Sequence, residues 1–364
     1  MASDDKLCAL RNAIDAVDDH MLELLTERAR LAQHVAELKR AVGRPFYVPS
    51  RERAIIDRVQ TANPGPFPAR SIRPVFQEII SACRSLEGGV SVAFLGPEGT
   101  FTQQAVKRHF GVSTSAGACG SIAAVFDQVE RATADFGVVP VENSSAGVVR
   151  ETLESFVESP LHIHAEVVVK VDLCLCARPG VVAEQVARVY SHPQAFAQCR
   201  AWLADRLSRV LLVECSSTAD AAHRAADDAD GAAIAGELAA RMAGLAVLHS
   251  HLQDAADNRT RFLVIGRGNY PEPSPSGDDK TVVLLVPGHD PGDLFEVLRP
   301  LGDTSRIKLT RLESRPSRRQ PWDYALFVEL EGHATEPRVA EAMTKLAVAR
   351  RVRVLGSYRK ADET

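Results

Sequence analysis

Between residues 7 and 42 the chain has no glycine or proline. Its apolar residues Leu7, Leu10, Ile14, Val17, Met21, Leu24, Leu25, Leu31, Val35 and Leu38 recur mostly three or four apart. That spacing predicts one amphipathic helix. At 1.5 Å per residue it would run roughly 54 Å, too long for one small domain to cover. It therefore needs a partner helix, most simply from a second copy of the chain. After Gly43-Arg44-Pro45, Ser50 is expected to cap a helix over 51–61. Asn63-Pro64-Gly65-Pro66 interrupts it, and 72–86 resumes helical spacing. Residues 1–88 thus read as an all-α, three-helix module.

From residue 90 the period changes. Residues 90–95 form a short apolar run leading into Gly96-Pro97-Glu98-Gly99-Thr100, and 136–141, 166–175, 186–190, 210–213 and 262–265 read as further strands. Helical stretches between several of them argue an α/β domain over 90–268, a pattern that suits two lobes exchanging strands across a cleft. Pro271-Glu272-Pro273-Ser274-Pro275-Ser276-Gly277 marks a linker over 269–279. Residues 280–364 then read strand 281–286, helix 292–300, strands 307–312 and 324–330, helix 337–349 and strand 352–358. This is the βαββαβ order of a ferredoxin-like module.

Composition narrows the class. A chain of 364 residues can fill two or three cores, and a net charge of −4 offers no basic excess for nucleic acid. No apolar run reaches 18 residues, and the start Met1-Ala2-Ser3-Asp4-Asp5 is acidic where a signal peptide is basic, so a cytoplasmic protein without a membrane partner is expected. Seven cysteines, an odd number, fit reduced thiols. Strand alternation puts Cys174 and Cys176 on one face, where packing is expected rather than metal. The pairs His162/His164 and His249/His251 lack Cys or Glu at useful spacing, so neither metal nor cofactor is expected.

Candidate chemistry sits among the charges of the long helix and at strand ends. Arg28 and Lys39 fall within about 20° around the axis and roughly 16 Å along it, so both can converge on one small anion. Arg11 lies about 100° away and roughly 25 Å up the axis; if it serves the same ligand, it comes from another subunit. Polar clusters follow or precede strands at Gly96-Pro97-Glu98-Gly99-Thr100, Glu142-Asn143-Ser144, Ser191-His192-Pro193-Gln194 with Gln198, and Thr260-Arg261-Phe262. Such strand ends are where α/β proteins hold ligands. The glycine loop lacks the Lys-Ser/Thr ending of a nucleotide P-loop, so ATP is not expected.

With Arg11, Arg28, Lys39, Arg51-Glu52-Arg53, Cys83 and Glu87, the first module resembles the all-helical chorismate mutases. The resemblance implies that Arg11 of a second chain and Arg28 bind substrate carboxylates. Lys39 and Glu87 would contact the ether oxygen, Glu52 would hold the ring hydroxyl, and Arg51 and Cys83 would complete the pocket. Val48 and Cys83 stand where some members have Asp and Ser, and Glu87 stands where others have Gln. A carboxyl group donates to an ether oxygen only when protonated, so mutase activity should fall as pH rises through the ionisation of Glu87.

The middle segment, through Glu142-Asn143-Ser144 and Thr260-Arg261-Phe262 together, resembles prephenate dehydratase, which implies a two-lobed, periplasmic-binding-protein-like domain. Thr260 would assist departure of the ring hydroxyl, and Glu142, Asn143, Ser144, Ser191, Gln198 and Phe262 would bind substrate. Arg261 would anchor a carboxylate. The last segment resembles an ACT domain through Asp290-Pro291-Gly292-Asp293-Leu294 and Glu313-Ser314-Arg315-Pro316. Phenylalanine is the implied effector, held by Gly292, Leu294, Glu313, Ser314, Arg315 and Pro316. The three resemblances follow one another as in the bifunctional chorismate mutase/prephenate dehydratases of phenylalanine biosynthesis, and a homodimer or higher even homo-oligomer is expected. Two other readings stay open: a dehydratase whose helical module only dimerises, and a non-catalytic amino-acid sensor.

Overall fold

A computed structural model describes residues 2–42, 47–268, 275–286, 298–299, 301, 307–317, 324–349 and 351–361. The chain forms two compact units, Met1–Val90 with Phe110–Ser115, and Ser91–His109 with Ala116–Thr364. Gly292, Leu294, most of the expected helix 292–300 and linker residues 269–274 lie outside the described residues.

The first unit holds helices α1 (Ala2–Ala41), α2 (Pro49–Ala62) and α3 (Ala69–Glu87). The expected long helix is present, and every residue from 4 to 27 on it is exposed, the apolar row included. Only its C-terminal part meets the other helices, with Ala36 buried. Ser50 is not the cap of α2. The helix begins at Pro49 after an extended Val48 with no side-chain cap, because proline lacks the N–H that a cap would satisfy and already has a helical φ. Residues 110–115 pack onto these helices: the Phe110 ring lies 5.4 Å from that of Tyr47, and the Val112 amide donates to Glu78 at 3.0 Å.

The second unit contains three sheets. The first comprises β1 (Ser91–Leu95), β2 (Ser115–Cys119), β3 (Phe136–Asn143), β4 (Gly147–Val148), β5 (His162–Lys170) and β11 (Arg259–Gly266). Its order is β2-β1-β3-β11-β5, with β4 on β3. The second comprises β6 (Cys174–Ala177), β7 (Arg188–Ser191), β8 (Leu211–Glu214), β9 (Gly231–Ala235) and β10 (Ala246–His249), in the order β10-β6-β9-β7-β8. Helices α4 (Phe101–Phe110), α5 (Ile122–Glu130) and α6 (Arg150–Glu158) belong to the first lobe. Helices α7 (Pro193–Gln198), α8 (Arg200–Arg206), α9 (Thr218–Asp227) and α10 (Glu237–Met242) belong to the second.

The chain crosses between lobes twice, after β5 and before β11. The single strand expected over 166–175 is therefore two, broken at Val171-Asp172-Leu173, where the Leu173 amide leaves the ladder and donates to Gln253. Cys174 and Cys176 are buried as expected, their thiols donating to the carbonyls of Ala235 and Ala233.

The third sheet, β12 (Asp279–Val286), β13 (Leu309–Pro316), β14 (Tyr324–Glu331) and β15 (Arg351–Arg359), is antiparallel in the order β13-β14-β12-β15, with α11 (Pro337–Ala349) beside it. Strand alternation gives it two apolar faces. Val282, Leu284, Ala325 and Phe327 share a core with Leu263 and Ile265 of β11, while Val283, Leu285, Val328 and Leu330 pack with Val339, Ala342 and Leu346 of α11. The layers meet closely at Gly356. A Cβ there would lie 2.1 Å from the Ile163 carbonyl oxygen, so only glycine lets β15 rest on β5.

Candidate functional site

A cavity of about 540 Å³ opens between the C-terminal part of α1 and helices α2 and α3. Arg28 and Lys39 of α1, Arg51 and Glu52 of α2, and Cys83 and Glu87 of α3 all line it, with Val48 at the start of α2. Arg11 does not. It sits on the exposed stretch of α1, more than four helical turns from Arg28.

Lys39 Nζ stands 4.0 Å from Glu87 Oε2, and Arg40 donates to the Glu87 carbonyl at 2.8 Å. Burial raises the Glu87 carboxyl above its ordinary pKa; Lys39 pulls it back only in part, and the nearby Glu52 charge adds to the rise. Burial likewise raises Glu52, against the opposing pull of Arg84.

Arg84 and Arg58 also line this cavity, and neither stood out in the sequence. The Arg84 guanidinium is buried and donates to Glu52 at 2.7 Å, to Thr114 Oγ1 at 3.0 Å and to the Phe110 carbonyl. It also lies over the Tyr47 ring, 5.0 Å from its centroid. Glu52 is thereby held from behind by a cation that is itself fixed on three sides.

A second cavity, of about 550 Å³, lies between the two lobes of the second unit. Four of the expected residues line it: Asn143, Gln198, Thr260 and Phe262. Asn143 and Thr260 are opposite one another in the β3–β11 ladder. The Asn143 side-chain amide donates to Thr260 Oγ1 at 2.9 Å and to Asn258 Oδ1 at 2.9 Å. Its Oδ1 accepts the amides of Ser145 and Ala146 at 3.0 and 2.9 Å, which fixes the orientation of the group. Because Asn143 donates to it, Thr260 keeps its own proton for another acceptor.

The other four expected residues are elsewhere. Arg261, expected to anchor a carboxylate, does not line the cavity: strand alternation turns it away from Thr260 and Phe262, and it forms ion pairs with Glu142, Glu166 and Glu329. Glu142 is engaged in the same group. Ser191 is fully buried and donates to the Ile234 carbonyl at 2.6 Å. Ser144 closes the loop after β3, accepting the Arg259 amide at 2.9 Å.

The polar part of the wall also includes His192 and Gln194 at the start of α7, Thr102 at the start of α4, and Ser216, Ser217 and Thr218 at the start of α9, the last four outside the motifs that stood out in the sequence. Ser217 caps α9 by accepting the Asp220 amide at 3.0 Å. An N-cap signal, Ser217 three residues before Asp220, was present in the sequence. The glycine loop also borders the cavity at Gly96 and Thr100, and Gly99 (φ +83°) supplies its left-handed turn. The cavity wall carries no lysine or arginine among the described residues. Carboxylates there would meet hydroxyls, amides and the positive ends of α4 and α9.

Elsewhere, burial lowers the pKa of His164 to about 4, and its ring packs edge-on against Phe136. Among the described residues no cluster of His, Cys, Asp and Glu has the makings of a metal site.

Comparison with known proteins separates the same two regions. The family model for chorismate mutase type II matches residues 10–88, and that for prephenate dehydratase matches residues 92–270. The bifunctional chorismate mutase/prephenate dehydratase of Aquifex aeolicus is 43% identical over 362 residues, covering 98% of this chain and 99% of that protein. This chain belongs to the bifunctional chorismate mutase/prephenate dehydratase family. The Pseudomonas aeruginosa member is 42% identical over 369 residues, 99% of this chain and all of that one. Among solved structures, the prephenate dehydratase of Arthrobacter aurescens in complex with L-Phe superposes with a TM-score of 0.70 at 35% identity, covering 76% of this chain and 92% of that one.

Proposed function

We propose that the cavity beside α1 rearranges chorismate to prephenate, and that the cavity between the lobes converts prephenate to phenylpyruvate with loss of carbon dioxide and water. The two steps serve L-phenylalanine biosynthesis. The rearrangement needs no nucleophile, so its acceleration comes from positioning and from charge placed where the breaking C–O bond leaves negative oxygen. Lys39 and a protonated Glu87 take that oxygen, Arg28 and Arg51 hold carboxylates, and Glu52, steadied by Arg84, takes the ring hydroxyl. Arg11 arrives from a second chain whose α1 covers the exposed apolar row. The observation that favours a homodimer is that row itself, on a helix too long for its own unit to cover.

In the second cavity, the Thr260 hydroxyl donates a hydrogen bond to the departing oxygen, which leaves with the electron pair of its C–O bond as decarboxylation supplies the pair for the new ring double bond, while the Asn143 amide donates to Oγ1 and Gln198 and Phe262 hold the ring. Thr102 and Ser216-Ser217-Thr218 hold the carboxylates in place of Arg261. No cofactor or metal takes part. The Asn143–Thr260 bond, at the wall of a cavity that no described lysine or arginine lines, carries this reading.

The protein works in the cytoplasm; no described helix is long and apolar enough to cross a membrane. The domains run 1–88, 90–268 and 280–364, joined by 269–279. The two crossovers support a periplasmic-binding-protein-like middle domain, and the strand order β13-β14-β12-β15 supports an ACT domain at the end. Phenylalanine binds there through Gly292, Leu294 and Glu313-Ser314-Arg315-Pro316 and restrains the dehydratase.

The test is Thr260→Val, followed in the ultraviolet with chorismate and with prephenate as substrates. Dehydration should fall roughly 10²- to 10⁴-fold while chorismate disappears at the normal rate. An unchanged rate of phenylpyruvate formation refutes the role of Thr260.

A further inference from the structure

Six charged side chains meet where the third sheet lies on the first: Glu142 of β3, Glu166 of β5 and Arg261 of β11, with Lys280 of β12, Arg311 of β13 and Glu329 of β14. Three are anionic and three cationic. Arg261 grips Glu329 with two bonds of 2.8 and 2.7 Å and also reaches Glu142 at 3.0 Å. Lys280 meets Glu166 at 2.9 Å, and Arg311 meets Glu142 at 3.2 Å and Glu329 at 3.5 Å. Burial would raise the Glu329 carboxyl, but Arg261 holds it below the ordinary value. Stability alone does not explain such a group, because apolar side chains of similar size would hold two sheets together as well. What ions with fixed partners add is a fixed distance.

The backbone says which distance. Arg261 pairs with Glu142 in the rung beside Thr260 and Asn143, and the ladder shifts register directly after Arg261. One rung faces the dehydratase cavity and its neighbour faces the third sheet. We propose that Arg261 and Glu142 are positioning residues for dehydration: held by Glu329 and Arg311, they set the spacing of Thr260 and Asn143. The cluster also touches Glu313, which lies 3.7 Å from Arg311 and 3.3 Å from Arg315. A ligand that engages Glu313 or Arg315 competes for the contacts that hold Arg311. Arg261 Nε, Arg311 Nη2 and the hydroxyl of fully buried Tyr358 make no hydrogen bond among the described residues, so donors remain for a second arrangement. The third sheet thus acts on dehydration through an ion cluster, without reaching the cavity itself.

This rests on the assignment of dehydration to Thr260 and Asn143, so Thr260→Val is measured alongside. Glu329→Gln keeps the shape and removes one charge. Its kcat for prephenate should fall roughly 10- to 100-fold with KM changed less than about threefold, since small misplacements cost rate more than binding. The mutase rate of the same full-length chain should stay within about twofold, and phenylalanine should still bind by calorimetry while inhibiting less. An unchanged kcat together with unchanged inhibition overturns the proposal. If the mutase rate falls in step, showing general unfolding, Arg311→Lys carries the test: it keeps the charge but cannot bridge Glu142, Glu313 and Glu329. The same loss of kcat without loss of mutase is expected, and a normal kcat overturns the proposal. A Thr260→Val protein that still dehydrates prephenate sinks the underlying assignment instead.

Discussion

Arg28, Lys39, Arg51, Arg58 and Arg84 line the cavity beside α1, whereas among the described residues no lysine or arginine lines the cavity between the lobes. Both are proposed to receive dicarboxylates of nearly the same size, so the difference reflects chemistry more than substrate charge. In the first reaction every carboxylate survives, and negative charge grows on an ether oxygen; cations help throughout. In the second, one carboxylate must give up its electrons and leave as carbon dioxide. A guanidinium clamped on it would stabilise the bound substrate more than the transition state and slow the step. Hydroxyls and helix ends hold the same group loosely enough to let it go.

The contrast can be attacked from both sides. The largest effect is expected from Lys39→Met, which should cut mutase kcat/KM about 10³-fold and leave dehydration of added prephenate untouched. A loss of only a few-fold would mean that the first cavity does not depend on its cations. Next comes the converse, Gln194→Lys, which plants a cation in the second cavity. Prephenate should then bind more tightly while kcat drops about tenfold; a faster enzyme would end the argument about loose binding.

The smallest effect concerns Glu87. Its raised pKa keeps the donating, protonated form present into a range where an ordinary carboxyl is already ionised, and the donor is lost as pH climbs through that raised value. The mutase pH–rate profile should fall on that alkaline side, and Glu87→Gln should flatten it. A wild-type profile that is level there would show that Glu87 acts as an anion or not at all.

Helix spacing made the first cavity largely legible, because side chains three, four and eleven apart on α1 share a face whatever surrounds them. Arg84 was hidden, since nothing local distinguishes a buried arginine held by Glu52 and Phe110 from a solvated one. In the second unit, Gly231-Ala232-Ala233-Ile234-Ala235 forms β9, buried throughout, yet its alanines favour helix and it lacks the alternation of a half-exposed strand. Arg261 lies outside the cavity, and the signal for that was present. In a strand, neighbours of a residue facing a cavity face away from it, and Thr260-Arg261-Phe262 obeys that rule. What sequence could not supply was the acidic company that Arg261 finds from β14, which depends on contacts 68 residues apart.

The glycine at 356 has a mechanical corollary. With the Ile163 carbonyl seated where a side chain would otherwise stand, the two layers mesh at one spot like a detent. Any movement of the upper layer along the lower one has to clear that carbonyl, and the strand that carries it, β5, is hydrogen-bonded to the strand that bears Thr260.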